Sequence, residues 1–175
     1  MKWKVLDSSY PFRCKWLTVR KDHVRMPSGH EMDDFYVLEY PDWVNVIAIT
    51  SDGLFVIEEQ YRHGLQRINY ELCAGCVDCD ETPLMAAQRE LLEETGYSGG
   101  TWSEFMVSSP NPNSMNNLCH TFLAVGVHKT QAPMLEKSED IIVHVLSRDE
   151  VIKLLNNFSI IEGIMQAPLW KYLNT

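Results

Sequence analysis

A chain of 175 residues, 45% hydrophobic and 22% charged, carries enough apolar side chain for one domain with a proper core and is short for two. Its 24 Asp and Glu against 15 Lys and Arg, a net charge of −9, argue against a duplex nucleic-acid binder, because phosphate recognition needs a basic face. No apolar run approaches membrane-spanning length, and the start, MKWKVLDSSYPF, lacks the apolar region of a signal peptide, so a cytoplasmic protein is expected.

Residues 2 to 6 and 15 to 19 are short β-favouring pieces, Pro27-Ser28-Gly29 is a turn, and Phe35 to Tyr40 is a further β-favouring piece. Together they predict an N-terminal antiparallel extension over residues 1–42. Pro41-Asp42 breaks the chain, and the main domain is expected over 43–175. It begins with a hairpin signal: the apolar run Val44 to Thr50, the turn Ser51-Asp52-Gly53, and the return Leu54 to Ile57. Arg62, at the end of the following Glu58-Glu59-Gln60-Tyr61-Arg62, reads equally as an ion pair at the core edge or as a phosphate clamp. A planar guanidinium suits both.

The most informative stretch runs from Gly75 to Tyr97. Pro83 sits where a helix would begin and Gly96 where it would stop, which predicts loop, helix, loop. On a 3.6-residue period Leu84, Ala87 and Leu91 form a stripe that can pack on a sheet, while Glu90 and Glu94 lie one turn apart on a neighbouring face with Glu93 beside them. Like charges at that spacing oppose the helix by a few tenths of a kcal/mol per pair, roughly, and Arg89 offsets part of this by pairing with Glu93. Three convergent carboxylates call for either free solvation or a hard cation such as Mg²⁺.

Five cysteines, Cys14, Cys73, Cys76, Cys79 and Cys119, are an odd number in a chain read as intracellular, which favours free thiols over a disulfide framework. Cys73, Cys76 and Cys79 have the spacing of part of a zinc or iron-sulfur site, but no fourth ligand follows at a fitting distance. The six histidines are scattered and read as surface or edge residues.

Beyond this stretch, Trp102 to Ser108 and Cys119 to Val127 read as strands on either side of a polar loop at 109–114. Residues 133–140 form a loop carrying Glu136, Glu139 and Asp140, and Ile141 to Leu146 is a strand. Ser147 with Glu150 is a capping-box signature ahead of Val151, Leu154 and Leu155. The tail from Ile160 to Leu173 is apolar enough to dock, and Pro168 is expected to interrupt any single helix there. The whole predicts an α/β protein with a mixed sheet and helices on its faces.

The spacing Gly75, five residues, Glu81, seven residues, Arg89-Glu90, an apolar residue, any residue, Glu93-Glu94, any residue, Gly96, an apolar residue resembles the complete Nudix box. A chance match at a given start is on the order of 10⁻⁹ at average residue usage. Beyond the box the chain resembles the ADP-ribose pyrophosphatase branch, through Gln60-Tyr61-Arg62 and through Glu71-Leu72-Cys73-Ala74-Gly75, where Cys73 replaces a usual proline. Pro110 and Pro112 fall in the region where that branch carries a marker proline. After Ser109-Pro110 the chain departs from the branch with Asn111-Pro112-Asn113-Ser114-Met115-Asn116-Asn117.

The resemblance implies a Nudix-type α/β/α sandwich that hydrolyses a nucleoside diphosphate sugar with Mg²⁺ or Mn²⁺, cutting ADP-ribose to AMP and ribose 5-phosphate. GDP-mannose or a similar compound is the alternative substrate, and a regulatory module without turnover is the alternative role. Carried over by position, Glu90 and Glu94 hold metal, Glu93 serves a second ion or the chemistry, and the Ala74 carbonyl completes a site. Glu81, Arg89 and Gly96 support the motif. Arg62 touches the phosphates, and Glu71, Ala74, Gly75 and Cys76 line the substrate. Glu139 reaches back from the late loop as metal ligand or base, with Glu136 as the alternative base. The N-terminal strands join two subunits in a homodimer.

Overall fold

The structure, a computed structural model, describes residues 1–175 with the exception of Trp16. The chain forms two compact units, Met1–Pro41 with Ser109–Leu118, and Asp42–Ser108 with Cys119–Thr175.

The first unit is an antiparallel sheet of β1 (Lys4–Arg13), β2 (Thr18–Arg25) and β3 (Glu31–Glu39), in that order. Each strand is longer than the β-favouring piece that predicted it, and of the piece at 15–19, Trp16 lies outside the described residues. Asp22 is buried on β2 and is matched by its neighbours: the Ser8 hydroxyl donates to it at 2.6 Å and Arg20 Nε at 3.0 Å. The polar segment Ser109–Leu118 belongs to this unit because its backbone and side chains satisfy β3. Leu38 N–H donates to the Ser114 carbonyl at 2.7 Å, and Tyr40 N–H donates to Asn116 Oδ1 at 3.1 Å.

The second unit is built on eight strands. These are β4 (Trp43–Thr50), β5 (Phe55–Arg62), β6 (Arg67–Glu71), β7 (Cys73–Cys76), β8 (Tyr97–Ser98), β9 (Thr101–Ser108), β10 (Cys119–Lys129) and β11 (Ile141–Leu146). The central order is β11-β5-β4-β10-β8, with β6 paired to β5, β7 to β4 and β9 to β10. Only β4 and β10 run parallel among the registered pairs of this unit, so the sheet is mixed. The predicted hairpin forms, but β4 and β5 pair only at Ala48↔Val56 and Ile49↔Phe55 before β7 takes over the edge of β4. That separation opens the sheet between β5 and β7.

Alternation along the strands sorts the core into two layers. Val44, Val46 and Ala48 of β4, with Val56 of β5, pack against Ala86, Ala87 and Leu91. These come from α1 (Pro83–Glu90), which runs on into a π-helical turn at Leu91–Thr95. Ile47, Ile49, Phe55 and Ile57 face the other way onto α2 (Arg148–Asn156) and α3 (Gly163–Leu173), meeting Val151, Leu155, Met165, Leu169 and Leu173. The result is the expected three-layer sandwich. The predicted stripe needs one correction: Leu84 is exposed, and Ala86 takes its place beside Ala87 and Leu91. Two alanines let the helix approach the sheet more closely than a leucine would.

The capping box at Ser147 and Glu150 is formed in full. Pro168, however, does not interrupt α3, which continues through it to Leu173. Proline removes the N–H that would bond to the carbonyl four residues earlier, here Ile164. Asn45, buried on β4, supplies the missing donor: its Nδ2 donates to the Ile164 carbonyl at 3.0 Å. Asn45→Ala is therefore expected to cost about 1–3 kcal/mol, the usual penalty for orphaning a buried acceptor. In a Pro168→Ala background, where the helix supplies its own N–H, most of that cost should vanish. Urea unfolding of the four proteins of this cycle measures it, and equal cost in both backgrounds would refute the pairing.

Candidate active site

Three segments of the second unit bring charge to the α1 face of the sheet where β5 and β7 part. On β5 the alternation that turns Val56 toward α1 does the same for Glu58, Gln60 and Arg62. From β6, Glu71 meets them: it stands opposite Glu58 in the register and is fully buried. Arg62 forks onto it, with Nε at 2.9 and 3.0 Å from the two carboxylate oxygens and Nη2 at 2.5 Å, and Gln60 Nε2 adds a bond at 3.3 Å. Of the two readings of Arg62, the ion pair at the core edge is thus formed. A large part of its side chain, 44%, remains at the surface.

The second segment is the loop between β7 and α1. Glu81 accepts the Asp78 N–H at 3.0 Å and holds Arg89 through Nη2 at 2.6 Å and Nε at 3.2 Å. Arg89 Nη2 also donates to the Cys76 carbonyl at 3.1 Å. Loop and helix are therefore tied by one guanidinium, which reaches Glu90 at 2.9 Å and Glu93 at 3.2 Å as well. The helix starts as predicted, with Pro83 in its first turn and the Thr82 hydroxyl accepting from Met85 N–H at 3.3 Å. Its end differs from a plain α-helix. The π-helical turn Leu91–Thr95 stops at Gly96, whose φ of +76° is left-handed and where a β-carbon would lie 2.2 Å from the Gln131 carbonyl oxygen.

The carboxylates on this helix are not equivalent. Glu94 is 6% exposed and accepts the Ala74 N–H at 3.2 Å. Glu90 presses against Gly75: a β-carbon there would stand 1.9 Å from Glu90 Oε1. Glu93 is the outward one, at 41% exposure of its side chain. Burial pushes the Glu90 carboxyl up to about 7, against the pull of Arg89 and with the help of Glu93 and Glu139. Burial likewise raises Glu94 to about 7, with Glu90 and Glu139 adding to it while the Cys73 thiol and the Ala74 N–H oppose it. Burial disfavours ionisation of both carboxyls and the charge of Glu90 raises Glu94 further, so the pair is favoured by added positive charge.

The third segment is the loop before β11. Glu139 lies close enough for its charge to act on both Glu90 and Glu94. Its carboxylate accepts the Glu136 backbone N–H at 2.8 Å, closing a turn in which the Glu136 side chain itself is exposed. The structure thus gathers Glu90, Glu94, Glu139, Ala74 and Gly75, sets Glu93 on the rim, and places the Arg62–Glu71 pair along the same face. Cys76 is exposed, with its carbonyl engaged by Arg89. Cys73 is buried while Cys79 is exposed, and among the described residues the three cysteines do not gather as one ligand group. Histidines are edge residues in the second unit: His144 pairs with Glu59 at 2.7 Å and His120 with Glu104 at 2.9 Å.

Sequence reasoning missed Glu58, which is fully buried beside Glu94 and Cys73. The signal was available in the alternation of Phe55-Val56-Ile57-Glu58, which aims a carboxylate at the α1 face. Burial, followed by the charges of Glu94 and Glu71, holds Glu58 well above the ordinary carboxylate range. Glu162, just before α3, was missed as well, and burial raises it in the same way, with Glu71 adding to it and Arg62 opposing.

Residues 39–165 match the NUDIX domain family, and residues 3–38 match the nucleoside diphosphate sugar hydrolase N-terminal domain. The chain is 29% identical over 153 residues to the methanol dehydrogenase activator of Bacillus methanolicus, covering 87% of this chain and 82% of that one. It is 26% identical over 155 residues to the ADP-ribose pyrophosphatase of Bacillus subtilis (strain 168), covering 88% and 83%. To the ADP-ribose pyrophosphatase of Mycobacterium tuberculosis it is 32% identical over 122 residues, covering 69% and 58%. The crystal structure of an ADP compounds hydrolase superposes with a TM-score of 0.84 at 17% identity, covering 99% of this chain and 95% of that one, a likeness of fold. With the box complete across loop and helix and the family matched over most of the sequence, the chain belongs to the Nudix hydrolases.

Proposed function

We propose that the protein is a Mg²⁺- or Mn²⁺-dependent hydrolase of a nucleoside diphosphate sugar, and that it cuts ADP-ribose to AMP and ribose 5-phosphate. The observation that carries this reading is the folded box itself: Glu90 lies against Gly75, Glu94 accepts the Ala74 N–H at 3.2 Å, and Arg89 with Glu81 ties that loop to the helix. The names of the relatives point to the substrate, and the match of residues 3–38 to the nucleoside diphosphate sugar hydrolase N-terminal domain points the same way.

The donor set fits a hard divalent cation, since Glu90, Glu94 and the Ala74 carbonyl offer oxygen, Glu139 is near both helix carboxylates and Glu93 stands at the rim. When bound, such ions neutralise the diphosphate and favour water as nucleophile near neutral pH. The chain's own residues do the rest. Arg89 and Glu81 hold loop and helix in register, so that Ala74 and the helix carboxylates keep their spacing. Arg62, oriented by Glu71, presents the exposed part of its guanidinium to the substrate phosphates. Glu139 takes the proton from the attacking water as general base.

Incubating the protein with Mg²⁺ and a panel of nucleoside diphosphate sugars, with identification of the products, tests this. AMP and ribose 5-phosphate from ADP-ribose are expected. Preference for GDP-mannose would move the substrate, and conversion of a nucleoside triphosphate to monophosphate alone would overturn the branch.

Two further outcomes follow from this reading. Glu139→Gln should lower kcat by about 10²–10⁴-fold and flatten the acidic limb of the rate profile, whereas Glu136→Gln should stay near wild type. If the Glu139 variant instead only raises the Mg²⁺ requirement, Glu139 is a ligand and the base lies elsewhere. We also propose that the N-terminal sheet joins two copies of the chain. Its outer strand β1 leaves Val5, Tyr10 and Phe12 half exposed, an apolar edge of the kind that pairs. Light scattering should give the mass of a dimer, and Tyr10→Lys with Phe12→Glu should give the mass of a monomer.

A further inference from the structure

Glu58 is 0% exposed, and neither of its carboxylate oxygens meets a donor group among the described residues; the group within hydrogen-bond reach is a second acid, Glu94. Its cross-strand neighbour Glu71 is satisfied by Arg62 and Gln60, so the contrast is within one strand pair. Two buried acids with no donor between them are an unfavourable arrangement unless a proton or a cation lies between them, and an apolar residue of similar volume would pack there at no such cost. The side chain is aimed at two others. One ligand atom each from Glu58, Cys73 and Glu94 all lie within 4.8 Å of one another, and all three residues are buried.

We propose that Glu58, Cys73 and Glu94 form a site for one thiophilic divalent cation of the zinc type, lying behind the position held by Glu90 and sharing Glu94 with it. One sulfur and two carboxylate oxygens suit zinc and its neighbours in the first transition row, which accept mixed sulfur and oxygen donors. Mg²⁺ is the wrong occupant: it avoids sulfur and keeps several waters, for which a fully buried trio is unsuited. Ligand lengths of about 2.0–2.3 Å in a tetrahedral zinc site require the donor atoms to stand closer than the observed limit, a closure within the reach of side-chain rotation. Bound there, the cation displaces the proton that Glu58 and Glu94 hold between them, offsets the charge of the two carboxylates together and converts the Cys73 thiol to thiolate, with all of these protons released to solvent. Three protein ligands leave a fourth position open. Glu94 cannot serve both ions fully, so occupancy of this site competes with the set formed by Glu90 and Glu94.

The alternative partner for Glu58 is a proton shared with Glu94, and spectroscopy separates the two. Metal-free full-length protein is titrated with Co²⁺ in the absence of substrate. The expected result is one equivalent bound per chain, with an ultraviolet thiolate-to-cobalt charge-transfer band that one equivalent of Zn²⁺ abolishes. Cys73→Ser should remove the band, and Glu58→Gln should weaken Co²⁺ binding by about 10–100-fold. A variant with Cys14, Cys76 and Cys79, the exposed thiols, all changed to serine should keep it. Cobalt bound without the band, or a band that survives Cys73→Ser, or one lost with the three exposed thiols, would overturn the proposal. Because a buried substitution can prevent folding, X-ray absorption on the zinc-loaded triple-serine variant reads the same site without touching it: one sulfur among oxygens supports the assignment and a shell without sulfur refutes it. Only the sharing of Glu94 rests on the hydrolase reading. None of these spectra needs turnover, so failure of the metal site and failure of the activity are seen separately.

Discussion

Glu94→Gln lowers kcat by about two to four orders of magnitude and leaves the fold intact. The amide can still accept the Ala74 N–H through its oxygen, and its NH₂ group gives the unpartnered Glu58 a donor, so the packing of the site is kept. What is lost is a charged oxygen ligand in a site whose work is to hold metal, and such losses appear mainly in kcat once substrate is saturating. Near-normal turnover of the variant at saturating Mg²⁺ would leave this helix with a purely structural role.

The same substitution has a stability signature in metal-free protein. Glu90 and Glu94 each rise from 4.5 to about 7 on folding, chiefly through burial. A carboxyl raised in this way favours the folded state when protonated. Its contribution is complete below pH 4.5 and is lost as pH climbs through about 7. Wild type without metal should therefore weaken across that window by a few kcal/mol, roughly. Glu94→Gln should show a shallower decline, and added Mg²⁺ should reverse the trend in wild type, because the bound ion favours the charged carboxylates. Urea midpoints in chelator at both ends of the window give the comparison.

How much of this was legible beforehand varies with the kind of physics involved. Short-range signals were read well: the Pro83 and Gly96 boundaries, the capping box of Ser147 and Glu150, and the strand Ile141 to Leu146 all depend on neighbours in sequence. The box declared its own chemistry because spacing along a helix and its leading loop is local. Errors arose where a distant residue supplied what the local sequence lacked. Pro168 stays inside α3 because Asn45, far away in sequence, bonds the carbonyl that proline abandons. The alternation along β5 aims Glu58 at the α1 face, but that this face is closed there, with β7 along β4 and α1 over it, is set by segments distant in sequence. The π-helical turn at Leu91–Thr95, which holds Glu94 buried and Glu93 at the rim, had no marker in the residues themselves.

Gly75→Ala is the sharpest test of how the loop and the helix make one site. The new β-carbon would stand 1.9 Å from Glu90 Oε1, 2.1 Å from its Cδ and 2.6 Å from its Cγ. Those atoms belong to the far half of a flexible side chain, so the clash is relieved when Glu90 rotates away and the backbone stays in place. Overpacking of this kind costs about 1–3 kcal/mol in stability. The larger effect falls on the ion, because a displaced Glu90 no longer offers its oxygen: the Mg²⁺ concentration for half-maximal activity should rise by about 10–100-fold. Gly96→Ala makes the contrast. Its added carbon meets the Gln131 backbone at 2.2 Å in a left-handed conformation, so it should fail by unfolding, with no selective loss of metal. A double variant identifies the route. If Gly75→Ala acts by expelling Glu90, adding it to Glu90→Ala changes neither activity nor Mg²⁺ dependence further. A folded Gly75→Ala protein with wild-type Mg²⁺ dependence, or a double variant much worse than Glu90→Ala, would show that Gly75 serves the site by some route other than making room for that carboxylate.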